Sequence, residues 1–140
     1  MADLKGFFAQ NTIKQDNVKF ALSKRFLDEN GKPYEWELRA LNADESEQIR
    51  RECTRRVKVK GNQYTMEIDN EALAIKMMVA SIVFPNLNDK ALQDSYGVMG
   101  AEQVLKKMLN VGEYSVLSNK ISEINGFGES MDELVEEVKN

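Results

Sequence analysis

Residues 17–41 read NVKFALSKRFLDENGKPYEWELRAL, and their pattern decides the fold class. Val18, Phe20 and Leu22 alternate with Lys19, Ala21 and Ser23, and Tyr34, Trp36 and Leu38 alternate with Glu35, Glu37 and Arg39. A period of two puts one apolar face on each strand, and Asn30-Gly31 between them is the residue pair that a type I′ turn favours, because both tolerate positive φ. The stretch therefore predicts a β-hairpin with one buried face. Upstream, Leu4, Phe7 and Phe8 fall at helical spacing and predict a short helix or docking arm over residues 3–10.

Downstream the period changes. Asn42 with Glu45 forms a capping-box signature for a helix carrying Ile49 and Cys53 on its apolar stripe. A second, shorter hairpin is predicted from Val57 and Val59, through Gly61-Asn62, to Tyr64, Met66 and Ile68. Asp69 or Asn70 then caps the most apolar segment, residues 72–84, which has almost no polar face and reads as a buried helix ended by Pro85. Short helices are predicted over 89–96, 101–109, 113–124 and 131–138, with Asn110-Val111-Gly112 and Gly126-Phe127-Gly128 as the joints. The fold class is α+β: one domain over residues 1–140, hairpin-containing to about residue 68 and mainly helical from 69 to 140.

Composition narrows function by exclusion. The chain has 140 residues, no histidine, one cysteine (Cys53) and a formal net charge of −4. Without histidine the usual acid/base group and the commonest metal ligand are missing. Cys53 has Arg51 and Arg55 nearby but no base to activate it, so it reads as a small core residue. Glu133, Glu136 and Glu137 lack the apolar pocket that acid catalysis requires. No catalytic, cofactor or metal site is expected. No run of 18 apolar residues exists, and the opening Met-Ala-Asp-Leu-Lys has neither the basic nor the apolar region of a secretion signal, so an intracellular protein is expected.

Three features remain for binding. Arg50, Arg51, Arg55, Arg56, Lys58 and Lys60 face a single acid, Glu52, within eleven residues. Such a patch suits nucleic acid; it equally suits a helix C-terminus followed by an edge strand, and the low net charge and the lack of aromatics interleaved with the arginines favour the second reading. Val104, Leu105, Met108 and Leu109 form an apolar stripe that could be offered to a partner helix. Leu134, Val135 and Val138 form another beside Glu129, Asp132, Glu133, Glu136 and Glu137, and either stripe could instead fold onto the chain's own core.

Four strings carry a family likeness: residues 17–41 with the Asn-Gly-Lys-Pro turn and the Tyr-Glu-Trp-Glu-Leu strand; Ile-Val-Phe-Pro-Asn-Leu at 82–87; Leu-Gln-Asp-Ser-Tyr-Gly-Val at 92–98; and Met-Leu-Asn-Val-Gly-Glu-Tyr at 108–114. Their order and spacing, from about Phe7 to Phe127, resemble the XkdN-like tail assembly chaperones of contractile-tailed phages and defective prophages. The resemblance implies a non-enzymatic protein of the host cytoplasm that binds the tape-measure protein, assists tail tube assembly through the tube protein, and is absent from the finished virion. It also implies, as a further partner, a longer form of the chain made by frameshifting. The family has no catalytic residue to carry over and no motif that fixes a binding residue. Two alternatives stay open: a nucleic-acid-binding regulator using residues 50–60, and a structural tail component.

Overall fold

The computed structural model describes residues 3–127. Two antiparallel strands, β1 (Val18–Ala21) and β2 (Glu35–Leu38), pair with Val18 opposite Leu38 and Phe20 opposite Trp36. This is the predicted hairpin with a different turn. Only Gly31 takes a positive φ, +76°, whereas Asn30 does not, so the loop is not type I′. The Asp28 carboxylate accepts the N–H groups of Asn30 (2.8 Å) and Lys32 (3.0 Å), and the Asp28 N–H reaches the Lys32 carbonyl at 2.7 Å. That side chain stabilises a wider loop than the two-residue turn.

Helix α1 (Ala43–Glu52) starts at the predicted capping box, with Asn42 and Glu45 satisfying each other's backbone N–H groups. Strands β3 (Thr54–Lys60) and β4 (Gln63–Ile68) form a separate two-stranded sheet. Helix α2 (Asn70–Ser81) is capped by Asp69, whose side chain accepts the Ala72 N–H.

The largest departure from the sequence reading follows at Ser81. The predicted helix over 72–84 ends there, and β5 (Ile82–Phe84) continues without a turn and pairs antiparallel with β2. Ile82 and Val83 are β-branched and Phe84 precedes a proline, so all three favour extended backbone. The sheet order is therefore β1-β2-β5, with β2 central.

Helices α3 (Lys90–Ser95), α4 (Ala101–Met108) and α5 (Val111–Ser122) complete the body. Asn110 caps α5 through a second capping box with Glu113, so Gly112 lies in the first helical turn rather than at a joint. A wide turn, Glu123–Phe127, ends where Gly126 takes φ +93°. The N-terminal stripe makes only a single tight turn, Lys5–Phe7, with Leu4, Phe7 and Phe8 exposed. No helix among the described residues is long and apolar enough to cross a membrane.

The core joins Trp36 and Leu38 of β2 to Ile75 and Met78 of α2, Leu87, Val104, Leu105 and Met108 of α4, Leu109, and Leu117 and Ile121 of α5. Met78 faces this cluster, while Met77, one residue earlier on the helix, is only half-buried and borders two surface hollows. A charge at the two positions should therefore act differently. Met78→Asp leaves an unpaired carboxylate in the core and should destabilise by about 4 kcal/mol or more, whereas Met77→Asp should lose less than half as much; urea denaturation of the two variants checks the contrast.

Candidate functional site

A groove of about 310 Å³ opens at the hairpin end of the sheet. Residues Leu27 and Pro33 bridge the base of the Asp28 loop, so this end of the hairpin is held in shape. Phe26 turns inward against Trp36, edge-on with ring centroids 6.2 Å apart, and Tyr34 leans on Phe84 at 5.9 Å. Leu92 and Tyr96 on the α3 side and Met108 of α4 close the far wall. Trp36 is 2% exposed at the floor, whereas Leu27 (52%), Tyr34 (42%) and Phe84 (44%) stand open at the mouth. Contiguous exposed apolar side chains of this kind mark binding surfaces, and aromatic anchors in recesses supply most of the affinity at such sites.

One ion pair fixes the rim. The Arg25 guanidinium donates from Nε to Glu113 Oε2 at 2.9 Å, contacts Glu113 Oε1 through Nη2, and donates from Nη2 to the Met108 carbonyl at 2.8 Å. Its carbon also lies 5.1 Å from the Phe26 ring centroid. The Arg25 hydrogen bond holds the Glu113 carboxyl at about 2, well below the usual carboxylate range, with the Asn110 N–H and the Ser23 hydroxyl adding to it against the opposing effect of burial. The same Glu113 side chain receives the Asn110 N–H in the α5 capping box, so the rim and the helix start share one carboxylate. The groove offers apolar contact and shape, with no nucleophile paired to a base, and suits the binding of an apolar segment.

The second surface is basic. Arg50 and Arg51 sit on the last turn of α1, and Arg55 and Arg56 begin β3, all four exposed. Arg51 pairs with Glu47 at 3.1 Å. The Arg56 guanidinium carbon lies 3.9 Å from the Tyr64 ring centroid. That aromatic is absent from the linear run because it comes from β4; the strand register places it opposite Lys58, two positions from Arg56 on the same face, and Met66 lies opposite Arg56. Period-two pairing of the two apolar runs was the available signal. Val59, Tyr64 and Met66 are exposed on this hairpin, so it mixes cations with apolar side chains.

The other candidates fall elsewhere. Val104, Leu105, Met108 and Leu109 are buried, the first two completely, so this stripe faces the protein's own core and only Met108 touches the groove, from behind. An amphipathic helix reports that one face is covered and does not report by what. Leu134, Val135 and Val138, the predicted last helix and its acids lie outside the described residues. Cys53 is buried. Among the described residues no cluster of three or more potential metal ligands occurs.

Comparison with known proteins places the chain. The profile of the phage XkdN-like tail assembly chaperone family matches residues 4–139. The protein XkdN of the phage-like element PBSX in Bacillus subtilis is 31% identical over 139 residues, covering 99% of this chain and 94% of that protein. The uncharacterized B. subtilis protein YqbN is 32% identical over 99% of this chain and 93% of its own length. The crystal structure of YqbN superposes with a TM-score of 0.77 at 30% identity, covering 91% of this chain and 98% of that one.

Two measurements test the site. Because the folded Glu113 carboxyl lies below its unfolded value, its pairing with Arg25 stabilises the fold above the ordinary carboxylate range and is lost as pH falls from about 4.3 toward about 2. NMR titration should give Glu113 a midpoint near 2, and Arg25→Ala should raise it toward the ordinary value. For the basic surface, the purified protein at physiological salt should bind random DNA or RNA duplexes no more tightly than about 10⁻⁴ M, the weak end of non-specific affinity. Micromolar binding lost on substituting Arg50, Arg51, Arg55 and Arg56 would restore the regulator reading.

Proposed function

The chain belongs to the XkdN-like phage tail assembly chaperones, and from that membership we propose that it binds the tape-measure protein without catalysis and assists assembly of the tail tube around it. Family membership carries this reading, and the open aromatic groove supplies a surface suited to it. A tape-measure protein would present long amphipathic helices whose apolar stripes aggregate until the tube covers them. A groove with Trp36 at its floor and Leu27, Tyr34 and Phe84 at its mouth can take side chains from such a stripe, in the manner of helix-in-groove recognition.

In this reading the protein works in the cytoplasm of the bacterial host, meets the tail tube protein and a frameshifted longer form of itself during assembly, and leaves before the virion is complete. Family membership favours a chaperone over a structural tail component. A purified protein that forms rings or tubes unaided would support the structural component instead.

Co-expression with a tape-measure fragment tests the proposal. The parent protein should raise the soluble fraction of the fragment several-fold. Leu27→Asp combined with Tyr34→Asp, both at exposed positions, should keep the melting temperature within a few degrees and abolish the gain. A double variant that protects as well as the parent would remove the groove from the client surface. A parent that protects nothing would remove the tape-measure client.

A further inference from the structure

The two edges of the β3–β4 hairpin differ in character. The hairpin is a sheet of its own, and among the described residues no further strand pairs with the outer side of β3 or of β4. Every residue from Gln63 to Glu67 is exposed, so β4 has neither a covered face nor a covered edge. The backbone N–H and C=O groups along a free edge are a template for another strand, and native sheets guard them with charge or with a bulge. β3 has both guards: Arg55, Arg56, Lys58 and Lys60 lie along it, and Val59 is an extra residue between the paired positions Lys58 and Lys60. β4 reads Gln-Tyr-Thr-Met-Glu-Ile, with one charge and no proline.

Charge decides which edge can meet a copy of itself. A closed pair of identical chains sets one strand antiparallel to its own copy about a two-fold axis, and residues directly opposite share a face of the sheet. For β3, an axis at Arg56, Val57 or Lys58 puts Arg56 against Arg56, Arg56 against Lys58, or Lys58 against Lys58, and like charges so placed are destabilising. For β4, an axis at Thr65 puts Tyr64 opposite Met66 of the second copy and Gln63 opposite its Glu67, with no like charges opposed. The Arg56 guanidinium carbon already lies 3.9 Å from the Tyr64 ring centroid, and Met66 is opposite Arg56 in the hairpin. Pairing therefore gathers an apolar strip at the centre of one face, with the cations of β3 to either side. The two β3 strands then stand three strand spacings apart, about 14 Å, beyond the screening length of about 8 Å at physiological salt.

We propose that the outer edge of β4 pairs with β4 of a second copy of this chain, antiparallel and centred on Thr65, to form a four-stranded sheet in the order β3-β4-β4-β3. A lone two-stranded ribbon is marginal in water, and two more strands relieve that. No residue of β3 or β4 lines the aromatic groove, so the pairing leaves the groove of each copy open and requires no client. The contact is one strand edge and a short apolar strip, at the small end of protein interfaces, so the association is weak and depends on concentration.

Sedimentation equilibrium of the full chain at physiological salt, from about 10 μM to about 1 mM, tests it; a monomer–dimer equilibrium with its midpoint in that range is expected for so small a contact. Thr65→Lys and Thr65→Glu each oppose like charges at the axis and should weaken the dimer about fivefold or more, whereas an equimolar mixture of the two should restore it. Melting temperatures near the parent's show that both variants fold. Under oxidation, Thr65→Cys should give a disulfide-linked dimer, because opposite Cα atoms of antiparallel strands lie about 4.5–5.5 Å apart, within disulfide reach, and Lys58→Cys should not. Cys53 is buried and does not compete. A chain that stays monomeric to about 1 mM would overturn the pairing and leave the edge to a strand of another protein. A dimer indifferent to both Thr65 charges, or equal cross-linking at positions 58 and 65, would place the contact elsewhere and overturn it too. Species that grow past the dimer would assign head-to-tail pairing of β3 with β4 and overturn the two-fold arrangement.

Discussion

At Ser81 the chain passes from helix to strand with no intervening turn, and the rest of the architecture follows from how that passage is held. The residue is fully buried. Its carbonyl accepts the Arg39 N–H at 2.8 Å, which locks the start of β5 to the end of β2. Its hydroxyl lies 3.4 Å from Asn125 Nδ2, and the same amide group donates to the Ile121 carbonyl and accepts from Leu41. The two side chains thereby tie the sheet, α2, the approach to α1 and the end of α5 at one buried point. No buried side-chain polar atom among the described residues lacks a partner, which matters because an orphan there would cost more than a made bond contributes on balance. With β5 in place, β2 is an inner strand, and Trp36 and Leu38 are carried into the core.

How much of this could be read in the sequence depends on how local the cause is. The two capping boxes, Asn42 with Glu45 and Asn110 with Glu113, bond across three residues and leave a plain trace, and the hairpins follow from period-two alternation. Residues 72–84 gave a helix reading for their whole length because a run without polar residues has no period. Only β-branching at Ile82 and Val83 and the proline after Phe84 hinted at extended backbone. The aromatic groove was invisible for the opposite reason. Its walls come from four stretches, around 25–27, 34–36, 84–96 and 108, and each residue in it looks like ordinary core until folding leaves it at the edge. The stripe from Val104 to Leu109 shows the reverse case, since the sequence displays an apolar face that suits a partner or the core, and folding decides that α4 turns it inward.

Exposed apolar side chains invite non-specific association unless shape and charge limit what can touch them. Here Tyr34 and Phe84 stand at the mouth of a groove in which Trp36 and Phe26 are recessed behind them, beside a charged rim in which Glu113 serves both Arg25 and the start of α5. Recession limits contact between flat surfaces, while a convex side chain still fits. The groove is also built on strands, a bridged loop and two short helices, so its shape exists before anything binds and little ordering is needed on association.

The β3–β4 hairpin stands apart from this economy. It forms its own two-stranded sheet, pairs with no strand of the other sheet, and carries Val59, Tyr64 and Met66 in the open. Two-stranded ribbons are marginal by themselves, and this one is held by its own ladder and by its roots at Cys53 and Asp69. Mutational drift therefore meets two regimes in one short chain. A change around Trp36 or Leu105 is filtered by folding, whereas a change at Lys58 or Tyr64 is filtered by whatever the hairpin touches. Lineages exposed to different neighbours can rewrite that arm while inheriting the body intact.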